Sequence, residues 1–145
     1  MKTIAIIPAR GGSKRIPRKN IKDFCGKPII AYSIETALRS EIFDEVMVST
    51  DDQEIADISM KYEAKIPFFR SPETSTDMAM TIPVLIEVLN EYKKLGQNFD
   101  HCCCIYPCAP FANSLRIKKG MDLLLSENAD SVLPIEISGP RANVS

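Results

Sequence analysis

The chain has 145 residues, 45% hydrophobic and 26% charged, with a formal net charge of −1, a composition that excludes collagen-like and intrinsically disordered chains. No apolar run approaches the roughly 18 residues of a membrane helix, and the N-terminal MKTIAIIPAR offers about six apolar residues before Pro8 and Arg10, short of a signal-peptide core of about 7–15. A single histidine, His101, excludes paired-histidine catalysis and multi-histidine metal sites, and five cysteines, an odd number, suit reduced thiols in a cytoplasm.

Taken in chain order, Lys2–Ile7 reads as a strand buried on both faces of a parallel sheet, because its apolar run is almost unbroken. A connection from Pro8 to Lys27 follows, with no clear element. Ile29, Ile30, Ile34, Ala37 and Leu38 recur at helical spacing within Pro28–Ser40, and Pro28 suits a helix start. Glu45–Ser49 is a second strand. Asp51 or Asp52 could cap the next helix, in which Ile55, Ile58 and Tyr62 share a face. Ala64–Phe69 is a third strand, shortened by Pro67. Ile82–Leu95 is an amphipathic helix through Val84, Leu85, Val88, Leu89 and Tyr92. His101–Tyr106 is a fourth strand, Leu115–Leu125 a helix and Ser131–Ile135 a fifth strand. This alternation predicts one α/β domain over 1–145, a Rossmann-like open and mostly parallel sheet with helices on both faces. Ligands in such sheets sit beyond the carboxyl ends of the strands.

The 20-residue connection PARGGSKRIPRKNIKDFCGK holds the strongest functional signal. Connections beyond roughly 12–15 residues in a compact domain are usually functional. Seven of the 18 basic residues (Lys2, Arg10, Lys14, Arg15, Arg18, Lys19 and Lys22) precede the first acid, Asp23, and the other 11 share the rest of the chain with all 19 acids. A basic loop on an acidic body suits a small, highly charged anion and argues against a nucleic-acid partner. Gly11, Gly12 and the Ser13 hydroxyl can present donors to phosphate oxygens, with Arg10, Lys14, Arg15, Arg18 and Lys19 as countercharge. Neither G-x-x-x-x-G-K-[ST] nor G-x-G-x-x-G is present.

IIPARGGSKRIPRKNIK, the helix opener GKPIIAYSI and the strand end VSTDD together resemble the CMP-sialic acid synthetase family of nucleotidyltransferases, and the similarity runs from Met1 to about Leu133. The variant GGSKRIPRKN, with the later YPCAPF, is most similar to the branch acting on pseudaminic acid. The resemblance implies a nucleotide-diphospho-sugar transferase type of fold. It also implies a reaction in which the anomeric hydroxyl of a nine-carbon acidic sugar joins the α-phosphate of CTP and pyrophosphate leaves. Positioning and charge neutralisation supply most of the rate in such phosphoryl chemistry, which suits a chain poor in histidine.

By that resemblance Arg10, Ser13 and Lys19 hold the CTP phosphates, with Arg10 and Lys19 the catalytic cations. Gly11, Gly12, Lys14 and Arg15 assist, and Asn20 lies by the ribose. Arg70, in FFRSPETSTD, contacts the cytosine, and Asp77, Ala79 and Thr81 complete the base pocket. Without the resemblance, Arg70 reads as a surface ion pair with Glu73 or Asp77. Tyr106, Pro107, Cys108 and Ala109 are the sugar-side candidates. Many sialic acid members carry Gln and Thr where this chain has Tyr106 and Cys108, which favours another nine-carbon sugar. Asp51 is a candidate polar contact at the nucleotide, and Asp52 more simply a helix cap. Cys102, Cys103 and Cys104 alternate faces on a strand, cannot converge on one ion, and read as buried structural thiols.

The resemblance further implies Mg²⁺, a homodimer and a longer family chain bearing an Asp-x-Asp metal pair. The metal ligands are therefore unknown here, and the expectation is a truncated domain that binds CTP weakly and turns over poorly. N-acetylneuraminate or another ulosonate is the alternative sugar, and a CTP-binding module without activity the alternative class.

Overall fold

Thr3–Pro8 forms β1, the central strand of a three-stranded parallel sheet. Ala5 and Ile7 turn to one face, Ile4 and Ile6 to the other, and all four are fully buried. A strand covered on both faces carries no polar alternation, hence its unbroken apolar run. The computed structural model describes residues 2–11, 19–74, 81–107 and 114–127. The expected strand Ser131–Ile135 lies outside them.

The connection after β1 is not devoid of elements. A 3-10 turn spans Lys19–Ile21, and β2 (Asp23–Phe24) pairs antiparallel with β3 (Lys27–Pro28). Cys25 and Gly26 join them with φ of 52° and 96°, the two successive positive values of a tight hairpin turn. The Phe24 and Tyr32 rings meet edge to face at 5.8 Å, the Tyr32 hydroxyl donates to the Phe24 carbonyl, and Lys27 pairs with Glu35. These contacts fasten the hairpin to α1 (Ile29–Ser40), which buries Ile30, Ile34 and Ala37 and ends on the left-handed residue Glu41.

β4 (Glu45–Ser49) lies parallel to β1, in register from Ile4 opposite Glu45 to Pro8 opposite Ser49. α2 (Gln53–Lys61) follows. Asp52 caps it, its Oδ1 accepting the Ile55 N–H at 3.0 Å. Asp52→Ala is expected to lower the unfolding free energy by about 1 kcal/mol, read by urea titration, and an unshifted midpoint would refute the cap. The expected strand Ala64–Phe69 shrinks to a single parallel bridge between Lys65 and Met47. Pro67 has no N–H to extend the ladder.

α3 (Thr81–Lys94) sets Val88 and Tyr92 against Ile4, Ile6 and Met47 on one face of the sheet. α1 and α2 cover the other face with Ile30, Ile34 and Ile55 against Ala5, Ile7 and Val48. β5 (His101–Cys104) pairs with the second edge of β1, and α4 (Ser114–Ser126) lies against α1. Helices on both faces of a parallel sheet match the expected architecture. The expected fourth strand ends at Cys104 rather than Tyr106, although the Ile105 N–H still reaches the Ile6 carbonyl at 3.0 Å. The thiols also differ from expectation. Cys102 is exposed, and Cys103 and Cys104 are half-buried, because β5 has a described strand partner on one side only. Burial still pushes the Cys103 and Cys104 thiols up to about 11. Among the described residues no helix is long and apolar enough to cross a membrane.

Candidate functional site

The parallel pairing of β1 and β4 brings their carboxyl ends to one edge, where the Ala9 N–H donates to the Ser49 carbonyl at 2.8 Å. Two residues on, the Gly11 N–H donates to Asp51 Oδ1 at 2.9 Å. A β-carbon on Gly11 would stand 2.8 Å from both Cβ and Oδ2 of Asp52, so this approach is open to glycine alone. The Arg10 carbonyl accepts from Asn20 Nδ2 at 2.9 Å, and Asn20 is buried. The residues that flank positions 12–18 are thereby tied together, with Lys19 exposed beside them.

Arg70 reaches the same edge from the segment after the Lys65 bridge. Its N–H donates to the Thr50 carbonyl at 2.8 Å, its Nε to Ser49 Oγ at 3.3 Å and its Nη1 to the Thr74 carbonyl at 3.2 Å. The residue is only 8% exposed. It is therefore not a surface residue, and its described acceptors are neutral oxygens; Asp77, one of the two partners expected for a surface ion pair, lies outside the described residues. Burial pushes the guanidinium below its usual value, Asp51 and Glu87 pull it back, and Arg10 lowers it further. An arginine fork has five donors, and Nε and Nη1 place two on protein acceptors here. The rest suit a planar ligand rich in acceptors.

Thr81 and Tyr106, expected on the base and sugar sides respectively, meet through their hydroxyls at 2.8 Å. Ser33 Oγ donates to the Tyr106 carbonyl at 2.9 Å and anchors that strand end to α1. Pro107 is buried and the Tyr106 side chain exposed. The hydrogen bonds thus gather Arg10, Gly11, Asn20, Asp51 and Arg70 into one group and Thr81 and Tyr106 into another. Gly12, Ser13, Lys14, Arg15, Asp77, Ala79, Cys108 and Ala109 lie outside the described residues.

Sequence reasoning missed Glu87 on α3. Its carboxylate accepts from the Ser71 N–H at 2.9 Å, the Ser71 hydroxyl at 2.6 Å and the Thr74 hydroxyl at 2.8 Å. Partial burial pushes this carboxyl up, but those donors and the Arg70 charge outweigh it and leave it below the usual carboxylate range. The available signal was its place between Val84 and Val88, next to the buried stripe of the helix.

A family model described as Cytidylyltransferase matches residues 4–135. The chain belongs to the cytidylyltransferase family. It is 48% identical over 129 residues to the pseudaminic acid cytidylyltransferase of Campylobacter jejuni, covering 89% of this chain and 56% of that one. It is 36% identical over 139 residues to the CMP-N,N'-diacetyllegionaminic acid synthase of Legionella pneumophila, covering 94% of this chain and 60% of that one. Among solved structures, a CMP:2-keto-3-deoxy-manno-octonic acid synthetase complexed with CTP superposes with a TM-score of 0.75 at 26% identity, over 89% of this chain and 49% of that one. The chain thus spans about half the length of the relatives it matches.

Proposed function

We propose that this protein joins CTP to a nine-carbon acidic sugar, pseudaminic acid, and releases pyrophosphate. The observation that carries the reading is Arg70, a buried guanidinium held by neutral oxygens among the described residues, beside Arg10 and Asn20 at the strand edge where α/β sheets take their ligands. The donors that the described residues leave over suit the O2 and N3 acceptors of cytosine, assisted by Asp77, Ala79 and Thr81. Arg10, Lys19, Gly11, Gly12, Ser13 and Lys14 take the triphosphate, Asn20 the ribose, and Tyr106, Pro107, Cys108 and Ala109 the sugar. The anomeric oxygen attacks the α-phosphorus in line, the bond to the pyrophosphate oxygen breaks, and the hydroxyl proton passes to solvent. Arg10 and Lys19 offset the charge gathering on the leaving group.

Mg²⁺ enters only as the resemblance implies it. Among the described residues no group of three or more His, Cys, Asp or Glu side chains could hold a metal, and Asp51 and Asp52 already accept from backbone N–H groups. No step is therefore assigned to the ion. The four described cysteines are free thiols, in keeping with a reducing, cytoplasmic setting.

The greater identity to the pseudaminic acid enzyme, 48% against 36% for the legionaminic acid synthase, supports the sugar assignment. Calorimetry with CTP tests the nucleotide half. Binding is expected, and replacing Arg10 and Lys19 together by alanine should weaken it about 100-fold, two charge-assisted contacts being lost. Unchanged heat in that variant would remove the basis of the reading. Pyrophosphate release with pseudaminic, N-acetylneuraminic, legionaminic and eight-carbon ulosonic acids tests the sugar half. A preference for any but the first would reassign it.

A further inference from the structure

The three donors that meet the Glu87 carboxylate all come from the four residues after Arg70, so the 3-10 turn Pro72–Thr74 is clamped onto α3. The clamped turn presents the carbonyl of buried Thr74 to Arg70 Nη1 at 3.2 Å. The contacts run in series from carboxylate to turn to carbonyl to guanidinium. We propose that Glu87 is a positioning residue for the nucleotide base: it holds the turn so that the Thr74 carbonyl aims the Arg70 fork at the ligand. The inference rests on Arg70 being the cytosine contact.

The arrangement has a physical logic. A long arginine side chain carries about 2 kcal/mol of rotamer entropy, which must be lost before the fork can read a base. A carboxylate bound directly to the guanidinium would order it but occupy the donors that the base needs. Glu87 stands one step back. Its charge favours the cation at longer range, while its oxygens are occupied by Ser71 and Thr74. The same donors, with the Arg70 charge, hold the carboxyl below the usual carboxylate range despite its partial burial.

The test is calorimetry of the 145-residue chain with two probes, CTP and inorganic tripolyphosphate, which has a phosphate tail and no base. Glu87→Ala is expected to weaken CTP about tenfold, the scale of a hydrogen bond to a charged group, and to leave tripolyphosphate unchanged. Glu87→Gln, which keeps one acceptor for the Ser71 N–H, should fall between. In an Arg70→Ala background Glu87→Ala should add nothing, since the two act in series. If Glu87→Ala fails to fold, Thr74→Val removes a single donor and should weaken CTP about threefold with tripolyphosphate unchanged. Equal loss of both probes would mark a merely structural role and overturn the inference. Undiminished CTP affinity in the Glu87 variants, with Arg70→Ala impaired, would overturn it while sparing the base contact. Undiminished affinity in Arg70→Ala would remove the base contact itself, and the inference with it.

Discussion

Gly11→Ala is expected to weaken CTP at least about 100-fold, because the backbone of the basic loop can no longer sit where it does. The new methyl would stand 2.8 Å from Asp52 Cβ and Oδ2, and the first of these is not the free end of a flexible side chain. Asp52 cannot simply retreat, since its Oδ1 caps α2 at Ile55. The strain is relieved only by moving the loop off Asp51 or by uncapping the helix, at a cost of about 1–3 kcal/mol. Calorimetry with CTP reads the first effect and urea titration the second. Gly120→Ala is the control: it lies inside α4 with no atom within 4 Å of the added carbon. That change should leave CTP binding intact and be neutral or stabilising by up to about 1 kcal/mol. Unweakened CTP affinity in Gly11→Ala would detach the loop from nucleotide binding.

The largest stability effect is expected at Tyr92. Its ring is fully buried between Phe68 at 5.4 Å and Phe99 at 5.2 Å, both edge to face, and its hydroxyl donates to Glu45 Oε2 at 2.9 Å. Tyr92→Ala empties the centre of the α3 face and should cost about 3–5 kcal/mol. Tyr92→Phe keeps the rings and loses only a bond to a half-exposed carboxylate, so about 1 kcal/mol is expected. Urea unfolding of the two variants separates packing from hydrogen bonding, and equal losses would assign the site to the hydroxyl. Phe68 stands two residues before Arg70, so the alanine variant should also loosen CTP binding.

Much of this was legible because the signal was periodic. β1, β4 and the four helices carry apolar patterns long enough to betray their buried faces, and glycines within a basic loop point to an anion at a strand end. The β2–β3 hairpin was not legible, since two-residue strands leave no period to read. Ala64–Phe69 has the composition of a strand, but its pairing stops at Lys65 because Pro67 offers no donor. Without the resemblance, Arg70 reads as a surface residue because charge argues for the surface, whereas it is buried and its N–H bonds the Thr50 carbonyl across the fold. Glu87 looks like a solvent-facing helix residue until the turn after Arg70 folds onto it. Cys102 is the converse, an apparently buried residue left exposed by the strand arrangement around it.

The bond between Gly11 and Asp51 spans 40 positions of the chain, and it exists only because β1 and β4 lie side by side. A partly folded intermediate lacking that strand pair would also lack the Gly11–Asp51 bond. If the nucleotide binds at this edge as proposed, its capture depends on completion of the sheet, and saturating CTP should raise the melting temperature of the domain as a whole rather than stiffen one corner of it.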